Sequence, residues 1–169
     1  MRIVEQNVSG SDRPIFDLAE FLSRPLFAHL AHASEHGPRE SPVWFRWDGA
    51  AVWIIGGESF PDNLRRDPRC ALGFVDFDPA TGLCQHVGMR GTAEVLPFDP
   101  AVARAIFRRY MGPDEADWDR RFNDVFDGSA DLELVRMTPA TVVIRDQSYQ
   151  PTRWAQERRP ASFPTGEAN

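Results

Sequence analysis

The residues best suited to chemistry lie in one continuous stretch, residues 41–69, which reads as two strands followed by a short helix. The first strand covers 41–47 and the second 51–57, with an Asp-Gly turn between them. The helix is predicted at 63–66. Free backbone N–H groups at the corner between a strand and a helix commonly hold a phosphate. The stretch therefore predicts a ligand site with an anion at this corner.

The basic residues restrict how an anion could be held. All 19 of them are arginine, and lysine is absent from the sequence. A lysine Schiff base is therefore excluded, and a phosphate must be met by arginine, hydroxyl or backbone N–H groups. The formal net charge of −6 argues against a nucleic-acid partner, because neutralising a phosphate backbone needs a basic face.

The histidines and cysteines do not predict a metal site. His29 and His32 are three residues apart, and on a strand this spacing turns their side chains to opposite faces. Cys70 and Cys84 support neither a disulfide framework nor a zinc site. No Ser-His-Asp or Cys-His arrangement is readable, and no G-x-G-x-x-G motif follows a strand. The sequence therefore shows no acid–base pair of its own.

The elements that position these residues are predicted to be mostly β-strands. The hydrophobic pattern predicts helices at 13–23, 63–66, 100–111 and about 114–127, and strands at 26–33, 39–47, 51–55, 70–77, 83–96, 132–137 and 141–144. Residues 1–12 are predicted to be frayed. Short hairpins join consecutive strands, so the sheet is mainly antiparallel. We expect one mainly β domain, a small barrel of six to seven strands with peripheral helices.

Alternation along the first strand predicts two faces. Ser41, Val43, Phe45 and Trp47 point one way, and Trp44 and Arg46 point the other. Gly88 and Gly91 lie inside the long strand, where glycine indicates a bulge or the close approach of another group.

Three motifs in order resemble a known family. They are Ser-Pro-Val-Trp-Phe at 41–45, Asn-Leu-Arg-Arg-Asp-Pro-Arg at 63–69 and Arg-Gly-Thr-Ala-Glu-Val at 90–95. Together they resemble the pyridoxamine 5'-phosphate oxidase-like family of FMN-binding split barrels, over about residues 13–146. The resemblance implies an antiparallel split-barrel domain at 1–149. The three prolines and many polar residues of the remaining segment, 150–169, predict an extended or disordered tail. The resemblance also implies a homodimer with FMN bound between the subunits.

The resemblance assigns roles to particular residues. Arg46 is implied to bind the substrate, and Trp154 is a candidate to cover the cofactor of the partner subunit. The implied cofactor-binding residues are Ser41, Pro42, Val43, Trp44, Ile54, Ile55, Ser59, Phe60, Asn63, His86 and Arg90. The catalytic residues are not identified, and no metal is implied.

One segment departs from the family. Where its members have Ser-Arg-Lys or a similar run at the phosphate corner, this chain has Glu58, Ser59 and Phe60. The loss of two charge-assisted contacts weakens FMN binding by about 3–5 kcal/mol unless other groups replace them. The candidates to replace them are Ser59, the amides near Asn63, and Arg39, Arg65 or Arg90.

Three functions therefore remain open. The first is an FMN-dependent oxidoreductase that transfers hydride or electrons to a small organic acceptor. The second is a non-catalytic binding protein for a flavin, a deazaflavin or haem on the same fold. The third is a degenerate barrel kept for interaction, with the corner closed by Phe60. Because no apolar N-terminal segment or membrane-length apolar run is present, the sequence also predicts a cytoplasmic protein without membrane contact.

Overall fold

The computed structural model describes residues 1–7, 15–57, 60–127 and 131–157. Its strands are β1 (Arg2–Asn7), β2 (Ala28–Ser34), β3 (Gly37–Val43), β4 (Phe45–Trp47), β5 (Val52–Gly56), β6 (Arg69–Asp78), β7 (Leu83–Pro97) and β8 (Glu133–Asp146). Its α-helices are α1 (Leu18–Ser23), α2 (Phe60–Arg66), α3 (Pro100–Met111), α4 (Arg120–Asn123) and α5 (Arg153–Glu157). Two 3-10 helices, Glu115–Asp117 and Asp124–Asp127, flank α4. None of the helices in these described ranges is long and apolar enough to cross a membrane.

The strands form one sheet that curls into a barrel. Neighbouring strands follow the order β3-β2-β6-β7-β8-β5-β4, and all of these pairs are antiparallel. The two ends of this path, β3 and β4, are separated along the chain by Trp44 alone. A sheet whose outermost strands are consecutive in sequence must bend until those strands meet. The predicted antiparallel split barrel is therefore confirmed.

Alternate residues of each strand fill the barrel. Val43 and Phe45 are buried inside, whereas Trp44 between them packs outside against α3. The predicted alternation of this strand is thus confirmed. The largest fully buried side chains include Phe21, Phe45, Phe74, Leu30, Leu72, Ile54 and Met137.

The N-terminal segment corrects the sequence prediction. Residues 1–12 were expected to be frayed, but β1 pairs in parallel with β8, from Arg2 opposite Thr141 to Asn7 opposite Asp146. The partner strand lies about 140 positions away in sequence, so no local pattern signals the pairing. Helix α1 begins at Leu18 and is capped by Asp17, whose side chain accepts a hydrogen bond from the Glu20 N–H. The expected cap, Asp12, lies outside the described residues.

The last two predicted strands are one. Strand β8 runs without interruption past Pro139 and carries one extra residue, Ala140, where its register against β7 shifts between Arg90 and Gly91. A Cβ atom at Gly91 would lie 2.0 Å from the Thr138 carbonyl oxygen, so glycine is required there. The close approach predicted at Gly91 is confirmed, and the bulge itself lies opposite it in β8. With β1 added and the stretch 39–47 divided into β3 and β4, the described residues contain eight strands.

Two helical segments also differ from the prediction. Helix α2 begins at Phe60 rather than at 63, because Phe60, Pro61 and Leu64 are all buried on its inner side. The helix predicted at 114–127 is broken into α4 and its two 3-10 neighbours. In the segment predicted as a tail, 150–169, α5 forms at Arg153–Glu157, and residues 158–169 lie outside the described part of the chain.

Candidate functional site

A groove of about 410 Å³ lies on the outer face of the sheet, where it is lined by β2, β3, β6, β7 and β8, and we call it the outer groove. Core residues of these strands, such as Leu30, Leu72 and Val87, point into the barrel. Because strand residues alternate between faces, the neighbours of these core residues point outward and line the groove. The groove therefore lies on the side of the sheet opposite the hydrophobic core.

Small residues form the floor of the outer groove. Gly73 on β6 pairs with Gly88 on β7. Two residues before Gly73 on the same strand, Ala71 pairs with Ala31 of β2. A Cβ atom at Gly73 would meet no atom within 4 Å, whereas one at Gly88 would lie 3.2 Å from Cε1 of His86. The predicted close approach at Gly88 is thus made by the His86 ring. The glycine pair leaves open space above the sheet, and a planar group could lie flat against it.

His86 stands beside this glycine floor with an unsatisfied ring nitrogen. Its Nδ1 atom is buried and has no hydrogen-bond partner among the described residues. Burial of the ring, helped by the nearby positive charge of Arg145, lowers the pKa of His86. The imidazole is therefore neutral at neutral pH, and it can exchange a hydrogen bond with a heteroatom of a bound ring.

Arg90 is the exposed cation at one end of the outer groove. It has no ion-pair partner within the described ranges, whereas Arg145 donates from Nε to Oε1 of Gln6 at 2.7 Å. A second groove of about 450 Å³ continues beyond Arg90 and shares Ala31 and Ala71 with the first. Arg90 thus lies where the two grooves join, with its charge available to an anion.

The second groove also contains Arg69, but this arginine is already engaged. Its Nη2 donates to Oδ2 of Asp67 at 2.6 Å, and its Nε donates to the other carboxylate oxygen at 2.8 Å. These hydrogen bonds lower the pKa of Asp67 to about 2. The carboxylate therefore stays ionised and neutralises Arg69, which leaves Arg90 as the stronger anion contact.

A histidine–carboxylate pair at the other rim was missed from the sequence. Nδ1 of His29 on β2 lies 2.5 Å from Oε1 of Glu40 on β3, and both side chains line the outer groove. The sequence pattern indicated His29 only as a candidate metal ligand, which its spacing from His32 argued against. The hairpin turn at 34–38 could have predicted the pair, because pairing Ser34 with Gly37 makes Glu40 a diagonal neighbour of His29.

The structure brings together some of the predicted cofactor-binding residues and separates others. His86 and Arg90 both line the outer groove, and Pro42 lies next to it, opposite His29 in the β2–β3 register. The others lie elsewhere: Val43, Ile54 and Phe60 are buried in the core, Trp44 and Ile55 pack in the aromatic cluster beside α3, Ser41 is half-buried on β3, and Asn63 is half-buried on α2. Ser59 lies outside the described residues. The assigned roles of all these residues remain predictions.

At the predicted phosphate corner, the side chains of Phe60 and Arg65 are both engaged in contacts within the protein. Phe60 is 8% exposed and packs in the core, so its side chain cannot meet a phosphate. Arg65 forms ion pairs with Asp62 and Glu133, which occupy its guanidinium. Among the arginines proposed to replace the clamp, Arg90 is the one that combines an unpaired charge with a groove.

Arg46 and Trp154 lie apart from the outer groove. Arg46 lines a separate groove of about 430 Å³, together with Arg109 of α3 and residues of α1. The structure therefore does not bring the predicted substrate residue to His86 and Arg90. Trp154 is 63% exposed on α5, and its predicted position over a partner's cofactor stays a prediction.

Comparisons with known proteins agree with this architecture. The family profile described as Pyridoxamine 5'-phosphate oxidase matches residues 17–145. A conserved hypothetical protein from Mycobacterium tuberculosis is 23% identical, with a TM-score of 0.64 over 83% of this chain and 89% of that one. An F420 reductase is 26% identical, with a TM-score of 0.58 over 77% and 98%. The haem storage protein of Vibrio cholerae is 17% identical, with a TM-score of 0.55 over 71% and 85%. No curated protein matches the sequence.

The residues of the outer groove fit a planar cofactor with an anionic tail. The open space over Gly73 accepts a flat ring, the His86 side chain lines the groove at its edge, and Arg90 offers a charge. Gly73 lies on β6, whereas His86 and Arg90 both lie on β7, and the barrel places these two strands side by side.

Proposed function

We propose, on the premise that this chain belongs to the pyridoxamine 5'-phosphate oxidase family, that the outer groove binds a flavin or deazaflavin cofactor for two-electron transfer to a small organic acceptor. The observation that carries this proposal is the paired glycine floor between His86 and Arg90. A redox cofactor supplies the hydride or electrons when bound, so the protein's task is to hold and orient it. This agrees with the absence of a catalytic triad from the sequence.

Each part of the groove has a separate task in this proposal. Gly73 and Gly88 admit the ring system, because any larger side chain would occupy its space. Neutral His86 exchanges a hydrogen bond with a ring heteroatom. Arg90 meets the anionic tail in place of the missing clamp, with a contribution of about 1.5–3 kcal/mol.

The shape of the site favours a cofactor with an extended tail. The outer groove and the second groove share Arg90 and together run along the sheet beyond the space that a ring alone would need. The F420 reductase, covered over 98% of its length at 26% identity, supports a deazaflavin as an alternative to FMN. The chemistry common to both is a planar ring joined to a phosphate-bearing tail.

The proposal includes a homodimer. Phe27, Val75 and Phe77 are 53%, 48% and 54% exposed and lie on the outward face of β2 and β6 or next to it. An apolar patch beside a one-sided groove is typical of a surface that a second copy covers. A partner subunit on this face would close the groove from above and exclude water from the cofactor.

A second candidate is haem binding without turnover. The observation that favours it is His86, a neutral imidazole on the lining of the groove, which is the kind of side chain that coordinates haem iron. In this case the groove would hold the macrocycle, and no hydride transfer would follow.

Titration of the purified protein with FMN, FAD, F420 and haemin tests these alternatives. We expect a flavin or F420 to bind at one molecule per chain, measured by absorbance and by fluorescence quenching. Gly73→Leu should abolish binding by filling the open space, and Arg90→Gln should weaken it about 10- to 100-fold. Uptake of haemin with a Soret band, without uptake of any flavin, would favour the second candidate.

Two matched variants control the titration. Thr92→Leu places the same leucine side chain at an exposed position of β7 outside the groove, and Arg39→Gln removes an exposed strand arginine that does not line it. Both should bind the cofactor like the wild type. If Gly73→Leu binds normally, or if Arg39→Gln rather than Arg90→Gln weakens binding, the cofactor does not occupy the outer groove as proposed.

A further inference from the structure

The separate groove of about 430 Å³, which we call the helix groove, lies between α1, α3 and the end of β4. Ala19 and Leu22 share one face of α1, and Ala105 and Arg109 lie one turn apart on α3. The helix groove has no lining residue in common with the outer groove or with the second groove. It is therefore a site of its own, built mainly from helices rather than from the open face of the sheet.

Two arginines give the helix groove its charge. Arg46 and Arg109 line it, and none of its described lining residues is acidic. The side chain of Arg46 is exposed and forms no ion pair or hydrogen bond with another described residue. The groove therefore carries two positive charges and no carboxylate.

The carboxylates that are closest along the chain are engaged elsewhere. Asp48 accepts hydrogen bonds from two backbone N–H groups of its own turn and from the indole N–H of Trp53. Glu20 of α1 is exposed and lies 3.7 Å from Arg24. Neither carboxylate lines the helix groove, so neither supplies a counter-charge inside it.

Arg109 is the less solvated of the two arginines. Its guanidinium carbon lies 4.2 Å from the centre of the Phe45 ring, and its Nε is buried without a hydrogen-bond partner among the described residues. Burial lowers the pKa of Arg109, but a guanidinium stays charged at neutral pH. Because a partly buried cation without a carboxylate costs free energy, an anion bound beside it stabilises the folded chain.

Capping of α1 explains only part of this arrangement. Nη2 of Arg109 donates to the carbonyl of Arg24, the residue that ends α1, and the Phe45 ring adds a cation–π contact. Neither the carbonyl nor the ring carries a negative charge, so Arg109 stays without a counterion. Capping also gives no reason for a second arginine, Arg46, in the same groove.

The walls of the helix groove are apolar and leave room for more than an inorganic ion. Leu22 is fully buried, Trp47 is half-buried, and Ala19 and Ala105 have small side chains. The volume of about 430 Å³ falls within the range of sites for small organic molecules, about 300–1,000 Å³. Such sites combine apolar walls with a few charged groups that fix the orientation of the ligand.

We propose that the helix groove is a second ligand site, which binds an organic oxyanion, a carboxylate or a phosphate monoester, carried on a small apolar body. The oxyanion contacts Arg46 and lies in the field of Arg109, and the apolar body packs on Leu22 and Trp47. The site goes beyond the proposed function, because the cofactor of the outer groove touches none of these residues. No electron transfer is assigned to it.

Four small probes test the proposal on the full chain. Benzoate and phenyl phosphate carry an oxyanion on a ring, benzyl alcohol keeps the ring without the charge, and inorganic phosphate keeps the charge without the ring. We expect benzoate or phenyl phosphate to shift the indole N–H signal of Trp47 in ¹⁵N-labelled protein, assigned with Trp47→Phe, and to raise the temperature of unfolding. Benzyl alcohol and inorganic phosphate should bind at least about tenfold more weakly.

Two variants place the ligand in the groove, and each has a matched control. Arg46→Gln should weaken binding about 10- to 100-fold, and Ala105→Leu should abolish it by filling the space. Arg39→Gln removes an exposed strand arginine outside the groove, and Ala101→Leu adds the same bulk at an exposed position of the same helix. Both controls should bind like the wild type. Arg46 is exposed and Ala105 is half-buried, so both test variants are expected to fold.

The outcomes decide the proposal and keep it apart from the cofactor site. Binding of only benzoate or only phenyl phosphate supports the site and identifies its anion. The proposal is overturned if neither shifts Trp47, if benzyl alcohol or inorganic phosphate binds as tightly, or if Arg39→Gln weakens binding as much as Arg46→Gln. Loss of cofactor binding in Ala105→Leu would also overturn it, because the two sites would not be separate. If the wild type takes up no cofactor but binds the oxyanion, the proposed function fails and this site stands.

Discussion

Two outward faces of the same barrel differ in what covers them. Around Trp44, Trp53 and Ile55, the outer surface is packed under α3 and the segments that follow it, and we call this the covered face. Over β2, β6, β7 and β8, the outer surface carries the groove and stays open, and we call this the open face. Both faces belong to one sheet, and both lie opposite the same core.

The covered face is rich in aromatic rings, and the polar atoms of Tyr110 and Trp118 have hydrogen-bond partners. Trp44 stacks on Tyr110 with ring centroids 4.6 Å apart, and Phe107 lies edge-on to Trp118 at 5.8 Å. The Tyr110 hydroxyl donates to the Leu26 carbonyl at 2.7 Å and accepts from the Phe45 N–H at 3.1 Å. This face is a second small core, built for stability.

The open face has the opposite composition. Glycine and alanine line its floor, His86 keeps an orphaned nitrogen, and Arg90 has no ion-pair partner among the described residues. Buried polar atoms without partners cost free energy, so they persist where a ligand satisfies them. The contrast teaches that this barrel closes one outer face with its own aromatic residues and keeps the other for a bound group.

The largest loss of stability is expected from a substitution in the covered face. Phe107→Ala removes a ring that is 5% exposed, and it should lower the free energy of unfolding by about 3–5 kcal/mol. Urea unfolding followed by tryptophan fluorescence measures this loss. Cofactor affinity of the folded fraction should stay within twofold of the wild type, because the groove lies on the other face.

Val75→Ala is the matched truncation on the open face. Val75 is 48% exposed, so its loss should change the free energy of unfolding of the monomer by no more than about 0.5 kcal/mol. If Val75→Ala costs as much as Phe107→Ala at every protein concentration, the open face is not open and the comparison fails. A cost that appears only at high concentration would instead agree with the proposed homodimer.

Two glycines of the sheet give an intermediate effect. A Cβ atom at Gly91 would meet the Thr138 backbone oxygen at 2.0 Å, so Gly91→Ala should lower the free energy of unfolding by about 1–3 kcal/mol. A Cβ atom at Gly73 meets nothing within 4 Å, so Gly73→Ala should be neutral or slightly stabilising. Thermal unfolding of both variants checks this. Equal destabilisation by the two changes would show that the floor over Gly73 is packed rather than open.

The smallest effect is a pH dependence from His86. Burial and Arg145 lower the pKa of His86 below the ordinary value of 6.5, so the unfolded chain binds a proton that the folded chain resists. Well above pH 6.5, His86 is neutral in both the folded and the unfolded chain and does not change the free energy of unfolding. As the pH drops through that value, protonation of His86 in the unfolded chain lowers the free energy of unfolding. His86→Gln should reduce this loss between pH 7 and pH 5, as measured by urea unfolding.

The exposed His36 provides the control for this measurement. His36→Gln should leave the slope of stability against pH as it is in the wild type. A slope that His86→Gln does not change would contradict the assignment of a buried, neutral imidazole to the open face.

Local pattern was enough to predict the barrel. Period-two alternation placed Val43 and Phe45 inside and Trp44 outside, and it did so because burial repeats with the pleat of a strand. Trp118, Phe122 and Val125, in the segment predicted as one helix at 114–127, pack in the aromatic cluster. The three family motifs gave His86 and Arg90, both of which line one groove.

Long-range pairing was beyond the reach of local pattern. The addition of β1 to β8, the continuity of β8 past Pro139 and the start of α2 at Phe60 depend on partners far away in sequence. Backbone hydrogen bonds carry no side-chain signal, so these features were predicted wrongly.

The sequence by itself determined which residues face inward, that the sheet is mainly antiparallel, and that the phosphate corner lacks its basic pair. The tertiary structure decided which outer face stays open, that Gly73 lies opposite Gly88, and that His29 meets Glu40. The physical reason is that burial of a side chain follows from its own strand, whereas the outer groove is assembled from five strands whose register is set largely by distant pairing.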